Sequence, residues 1–221
     1  MRRKGFCVVD RERMISELRR EYLIKRDAIE AKLRKFERVR EKGDLAAFEE
    51  MCYCLFTAGA SAKVGMRSVE AIRDLMLTGS QEELSEKLRS VHPYARKRAE
   101  YVVLAREFVR KRMNFKIFDT LDPMEHLERR DFIVHNIKGL GYKEGSHFLR
   151  NIGYKGYAIL DRHILRNLRR FGITDLKSSP SSRRRYLEVE EAMRRLALEI
   201  GVDFDALDLL FWSDETGEIL K

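Results

Sequence analysis

Apolar residues in this chain recur at intervals of three and four almost from end to end. Nowhere do they alternate for long enough to build a half-buried strand, so the spacing predicts a nearly all-helical protein, interrupted by only three prolines in 221 residues. Asp10 is the expected N-cap of a first long helix, with Ile15, Leu18, Tyr22, Ile29, Leu33 and Phe36 on one stripe and Gly43 as its stop. A second helix from about Asp44 carries Leu45, Phe48, Cys52, Leu55 and Phe56 and breaks at 57–61. A third then carries Val64, Val69, Ile72 and Leu75. Further helices are expected at about 81–90, 95–113, 125–136, 143–152, 161–171, 183–200 and 204–212. The Ser-rich stretch 174–182, which holds Pro180, is too short to separate independent domains. Residues 1–221 therefore read as one unit, or as two intimately packed helical lobes.

Composition narrows the function classes. Hydrophobic residues make up 44%, enough for an ordinary core, while charged residues reach 37% against about 25% expected and leave densely solvated faces. The uncharged run 51–60 falls well short of the roughly 20 residues a spanning helix needs, and the apolar stretch 6–9 ends at Asp10, too short for a signal peptide. No membrane partner is expected. Cys7, Cys52 and Cys54 are an odd three without C-x-x-C spacing, which suggests a reducing, cytoplasmic setting and cannot supply the four ligands of an ordinary iron–sulfur cluster. Cys52 and Cys54, two positions apart on a helix, point about 200° away from each other and read as core packing. One Gln and few Asn among abundant Glu, Lys and Arg suggest a protein built for heat.

The net charge of +9 and a pI near 9.5 make a polyanion the first partner to consider. Residues 137–186 alone hold 12 Lys/Arg and 3 Asp/Glu, a surplus equal to that of the whole chain. Inside this window Ile137-Lys138-Gly139-Leu140-Gly141-Tyr142-Lys143 sets two glycines around one apolar residue, between a helix that ends and a helix that begins. Glycine permits positive φ and leaves no Cβ in the way, so backbone N–H groups here can face a phosphate, and the next helix adds its positive end. A structural helix connection is about as good a reading of G-x-G taken alone. Here Gly153 and Gly156 follow, and then an apolar triplet runs into Leu160-Asp161-Arg162-His163.

The hairpin 137–143 and the segment 160–163 resemble the helix-hairpin-helix DNA glycosylases. Bifunctional members keep a lysine two residues after the second hairpin glycine, where Lys143 stands, and an aspartate at the start of a later helix, where Asp161 stands. The chain's size, the segment 52–63 and the ending Trp212…Thr216-Gly217…Leu220-Lys221 look more narrowly like the archaeal-type, second family of 8-oxoguanine DNA glycosylase/AP lyases. The resemblance implies an all-α helix-hairpin-helix glycosylase fold of two closely packed lobes with a cleft, a hairpin motif at about 130–152 and no iron–sulfur cluster.

The same resemblance implies an enzyme that flips 8-oxoguanine out of duplex DNA, removes it through a lysine Schiff base and cleaves the strand by β-elimination. A helix N-terminus among cations disfavours an ammonium, the condition a lysine needs in order to attack, and Asp161 would stabilise the positive charge growing on the sugar. Asp161 also suits a plain N-cap, and the two roles are compatible. Gly139, Gly141 and His163 are expected at DNA phosphates. Backbone carbonyls of His135, Ile137 and Leu140 are expected to hold a monovalent cation, with no cofactor required. Trp212 reads equally as core or as a pocket wall facing the base, and the carbonyl or terminal carboxylate of Lys221 as acceptor for the N7–H of 8-oxoguanine. The small residues Gly59-Ala60-Ser61 leave the reading of the opposite base unassigned, and His92-Pro93-Tyr94 reads as a helix-start turn. The expected partner is duplex DNA containing 8-oxoguanine or abasic sites, met by a monomer in the cytoplasm beside the nucleoid. Two alternatives stay open: a non-catalytic DNA-binding module that grips phosphate through the hairpin, and a glycosylase for another damaged base.

Overall fold

The computed structural model describes residues 8–217. Eleven α-helices follow in chain order among them: α1 Val8–Glu37, α2 Asp44–Thr57, α3 Ala62–Ile72, α4 Gln81–Leu88, α5 Ala95–Met113, α6 Ile117–Leu121, α7 His126–Asn136, α8 Tyr142–Asn151, α9 Arg162–Arg170, α10 Arg183–Ile200 and α11 Phe204–Thr216. No described residue lies in a strand. Helix starts follow side-chain chemistry. Ser61, Ser80, Asp161, Ser182 and Asp203 each accept a backbone N–H from the first turn of α3, α4, α9, α10 and α11 respectively.

Three expectations need correction. Asp10 lies within the first described turn of α1, where its charge faces the helix's positive end, and is not the N-cap. The α-helix stops at Glu37, and Gly43 at φ +82° ends a separate 3₁₀ turn, Arg40–Lys42. α6 was not anticipated. It follows two residues of positive φ, Asn114 and Phe115, and its first turn is capped from far away, the Asp44 carboxylate accepting the Phe118 N–H at 2.9 Å. A cap supplied by a residue 74 positions earlier leaves no local signal.

The chain forms two compact units, one from residues 36–154 and the other from the flanking residues up to Lys35 and from Lys155 onward. In the middle unit α2 is the core helix. Every residue from Met51 to Phe56 is fully buried, Cys52 and Cys54 among them, and α3, α5, α6 and α8 pack around it. A helix apolar on all sides belongs inside. Burial pushes the Cys52 thiol far up, so it behaves as a small hydrophobe. His92 is buried after α4, with Nε2 2.9 Å from the Phe56 carbonyl and Nδ1 accepting the Tyr94 N–H. The segment His92-Pro93-Tyr94 is thus a turn pinned to α2.

Where the chain enters and leaves this unit, its two ends are tied together. A Cβ on Gly153, at φ +94°, would sit 3.1 Å from the Glu37 Cα, and the Arg150 guanidinium lies 4.8 Å from the centre of the Phe36 ring. Arg40 grips Asp122 through two bonds of 2.8 and 3.0 Å, and Tyr154 donates to the same carboxylate at 2.6 Å while Arg129 stacks on the Tyr154 ring. The Arg40 contact, first among several, holds the Asp122 carboxyl below its usual range.

In the flanking unit, α9 and α10 pack on α11, and Ile15 and Leu18 of α1 are buried with them. Arginines of α1 bind the end of α10: Arg11 pairs with Glu199 at 2.7 Å, and Arg19 donates to the carbonyls of Glu199 and Ile200, which the helix itself leaves unsatisfied.

Gly153→Ala forces a side chain into the left-handed region and against backbone, at a cost of about 1–3 kcal/mol. The melting temperature should fall by several degrees in calorimetry. Burial is the main cause that lowers the His92 pKa, so the unfolded chain takes up a proton near pH 6.5 that the folded chain refuses. Stability is therefore full above that pH and declines as pH drops through it. Urea midpoints at pH 7.5 and 5.5 should differ less in His92→Gln than in the wild type.

Candidate active site

The hairpin expected at 137–143 is present in the middle unit. α7 ends at Asn136, the Leu140 N–H closes a tight turn on the Ile137 carbonyl at 3.1 Å, and α8 starts with Gly145 N–H on the Gly141 carbonyl at 2.7 Å. Ile137 and Leu140 bury their side chains, which anchors the turn from beneath. The two glycines serve different ends. Gly139 has φ +99°, and a Cβ there would meet the Tyr101 ring at 2.5 Å and Leu55 at 3.0 Å. Gly141 has φ −85° and ψ −170°, a conformation open to any residue, and a Cβ there would meet only the Glu144 carboxylate at 3.6 Å. The positive-φ argument therefore holds for Gly139 and fails for Gly141. What Gly141 provides is room: it has no side chain with which to cap α8 and none to stand between the positive end of that helix and an anion.

Lys143 stands in that first turn, its side chain one-quarter exposed and its Nζ 2.8 Å from Glu144 Oε1. Arg98 from α5 adds positive charge near Glu144 and is fixed by donating to the Ala58 carbonyl. Burial is the leading cause that lowers the Arg98 pKa from its ordinary value. Glu144, Arg98 and Tyr101 were not singled out in the sequence. Glu144 could have been, since it is the one acid in 137–160 and directly follows Lys143.

Asp161 belongs to the flanking unit. It is the N-cap of α9, and one oxygen, Oδ1, accepts both the His163 N–H at 2.8 Å and the Ile164 N–H at 2.9 Å. The His163 ring, whose Nε2 accepts from Arg162 Nε at 3.1 Å, meets Trp212 edge-to-face at 6.3 Å between centroids. Trp212 is half-buried, neither a core residue nor a free one. The structure thus groups Asp161, His163 and Trp212 in one unit and Gly139, Gly141, Lys143 and the carbonyl residues His135, Ile137 and Leu140 in the other. Lys221 lies outside the described residues. No group of three or more His, Cys, Asp or Glu among the described residues could hold a metal ion.

An all-α chain with a glycine hairpin and a lysine at the head of the following helix defines a class, the helix-hairpin-helix DNA glycosylases. The family model for 8-oxoguanine DNA glycosylase matches residues 29–202. A Methanocaldococcus jannaschii protein named 8-oxoguanine DNA glycosylase/AP lyase is 43% identical over 198 residues, covering 89% of this chain and 93% of that protein. The crystal structure of the 8-oxoguanine DNA glycosylase of Thermotoga maritima superposes with a TM-score of 0.85 at 36% identity, covering 96% of this chain and 100% of that one. The M. jannaschii 8-oxoguanine glycosylase/lyase in complex with a 15mer DNA containing 8-oxoguanine superposes with a TM-score of 0.83 at 40% identity, covering 93% and 100%. Within its class, the chain belongs to the 8-oxoguanine DNA glycosylase family.

The two hairpin glycines should separate in experiment. Gly139→Ala should lower the melting temperature by several degrees, because both φ and the Tyr101 ring resist it. Gly141→Asp, whose carboxylate can cap α8 and repels phosphate, should melt like the wild type yet bind duplex DNA several-fold more weakly in fluorescence anisotropy.

Proposed function

We propose that this protein is a bifunctional base-excision-repair enzyme, an 8-oxoguanine DNA glycosylase and AP lyase, in which Lys143 is the nucleophile and Asp161 its electrostatic partner. The observation that carries the reading is Lys143 in the first turn of α8, directly after the glycine hairpin, in a chain of this family. The damaged base must leave the stack, at a cost of a few kcal/mol recovered by stacking and hydrogen bonds in the pocket. Trp212, held on edge by His163, supports a role as pocket wall. The acceptor for the N7–H that distinguishes 8-oxoguanine from guanine is assigned to Lys221.

The chemistry follows from one amine. The neutral Lys143 nitrogen bonds to C1′ as the C1′–N9 bond breaks; the base leaves with the bonding pair and takes up a proton, and the new secondary amine gives one up. Asp161 offers negative charge to the sugar as positive charge grows there. Because its caps use Oδ1, the carboxylate is fixed in orientation without occupying Oδ2 in either bond. Ring opening gives a Schiff base, which acidifies C2′. Removal of a C2′ proton expels the 3′ oxygen and cleaves the strand, so abasic sites are substrates too.

Phosphate contacts are assigned to the backbone at Gly139 and Gly141 and to His163. The carbonyls of His135, Ile137 and Leu140, oxygen donors of the kind hard cations prefer, would hold a monovalent cation, which would supply positive charge for a DNA phosphate. The Ile137 carbonyl already accepts one hydrogen bond, from Leu140, and keeps its second lone pair for that use. No further cofactor is needed, and the enzyme is assigned as a monomer that works on the nucleoid. None of the helices described is long and apolar enough to cross a membrane.

Borohydride trapping on an 8-oxoguanine duplex tests the reading. The wild type should form a covalent adduct, while Lys143→Gln and an undamaged duplex should give none. Binding without any adduct would leave a monofunctional glycosylase or a mere binding module.

A further inference from the structure

The segment that delivers Asp161 belongs to no helix and no sheet. Its N–H groups are met instead by side chains of α10 and α11. Gly156 N–H reaches both oxygens of Asp205 at 3.0 and 3.1 Å, Ala158 N–H reaches Glu190 at 2.9 Å, and Ile159 N–H reaches Asp208 at 3.2 Å. The Tyr186 hydroxyl does two things at once. It donates to the Ala158 carbonyl at 2.7 Å and accepts the Leu160 N–H at 3.3 Å, straddling Ile159. Asp161 N–H then turns back onto the Ile159 carbonyl at 2.6 Å, a three-residue turn that leads straight into α9. Tyr186 is fully buried, and Glu190, Asp205 and Asp208 are at most 5% exposed.

Three buried carboxylates and a buried hydroxyl are a costly way to satisfy a short stretch of backbone, because each needs its own hydrogen bonds to offset desolvation. Apolar packing alone would hold the segment in the core but would leave its sliding along its own axis weakly resisted. Directional bonds at four donors, three of them successive, fix it in that direction as well. We infer that Tyr186, together with Glu190 and Asp208, is a positioning residue for Asp161: it sets where the carboxylate stands and touches no reacting atom itself. This rests on Asp161 having the role proposed above.

Tyr186→Phe removes one oxygen and little volume, so it is the primary test, with Glu190→Gln, which keeps an acceptor, and Glu190→Ala, which does not. Single-turnover base release at saturating enzyme, well below the melting temperature, should fall roughly tenfold in Tyr186→Phe and Glu190→Ala, by the sensitivity of catalysis to small misplacements. It should stay near wild type in Glu190→Gln, and the affinity for lesion DNA should be unchanged in all three. In an Asp161→Asn background the Tyr186→Phe loss should vanish, since a residue acting through Asp161 has nothing left to position. An equal loss in both backgrounds, a change confined to affinity, or no change in rate would overturn the inference. Amide exchange of residues 158–161 in the same proteins is independent of activity. If Tyr186→Phe leaves that exchange unaltered, the bonds do not hold the segment and the inference fails. Faster exchange in the variant beside an inactive wild type would instead sink the enzymatic reading.

Discussion

The helix α2 has no face turned to water between Met51 and Phe56, and the rest of the middle unit is arranged by the need to cover it. α3, α5, α6 and α8 are the covering layer. The hairpin inherits its position from that packing, because Leu55 on α2 and Tyr101 on α5 approach Gly139 so closely that no Cβ fits. A chain of contacts therefore runs from the core to Lys143: α2 seats the turn, the turn starts α8, and α8 presents the lysine in its first turn. The hairpin's proposed hold on phosphate needs accessible backbone, and its location needs a buried helix beneath.

Electrostatics enter at two levels of burial. The many exposed pairs along the outer helices, such as Arg13 with Glu17 and Arg110 with Glu107, are worth little individually and keep the charged faces dissolved. Buried carboxylates act differently. Glu190, Asp205 and Asp208 act as acceptors for backbone that has no strand to pair with, replacing a sheet by side chains. Asp161 extends the same pattern to a helix end, where its caps decide how the carboxylate is oriented.

Much of this was legible in the sequence because helix periodicity and cap chemistry are local. α5 and α10 fall where the spacing of their apolar residues put them, and Gly139, Lys143 and Asp161 stand in the turn and at the helix starts that their residue types demand. What could not be read depended on residues far apart. α6 is capped by Asp44 across 74 positions, and Lys143 meets Glu144 in a geometry that spacing alone does not set. The acids Asp205 and Asp208 carried a signal that was passed over: two charges three apart in the otherwise apolar run Phe204-Asp205-Ala206-Leu207-Asp208-Leu209-Leu210 must have buried partners.

The tie between Gly153 and Phe36 also bears on how the chain folds. The flanking unit joins residues separated by the whole of 36–154, as in the pair of Arg11 with Glu199, 188 positions apart. Closing so long a loop from an unfolded chain carries a large entropic penalty. Once the middle unit has formed, Arg40, Asp122 and Tyr154 hold its entry and exit side by side, and the effective loop shrinks to a few residues. The formed middle unit thus lowers the entropic cost of bringing its two flanks together, so the contacts at its entry and exit serve a unit to which they do not belong.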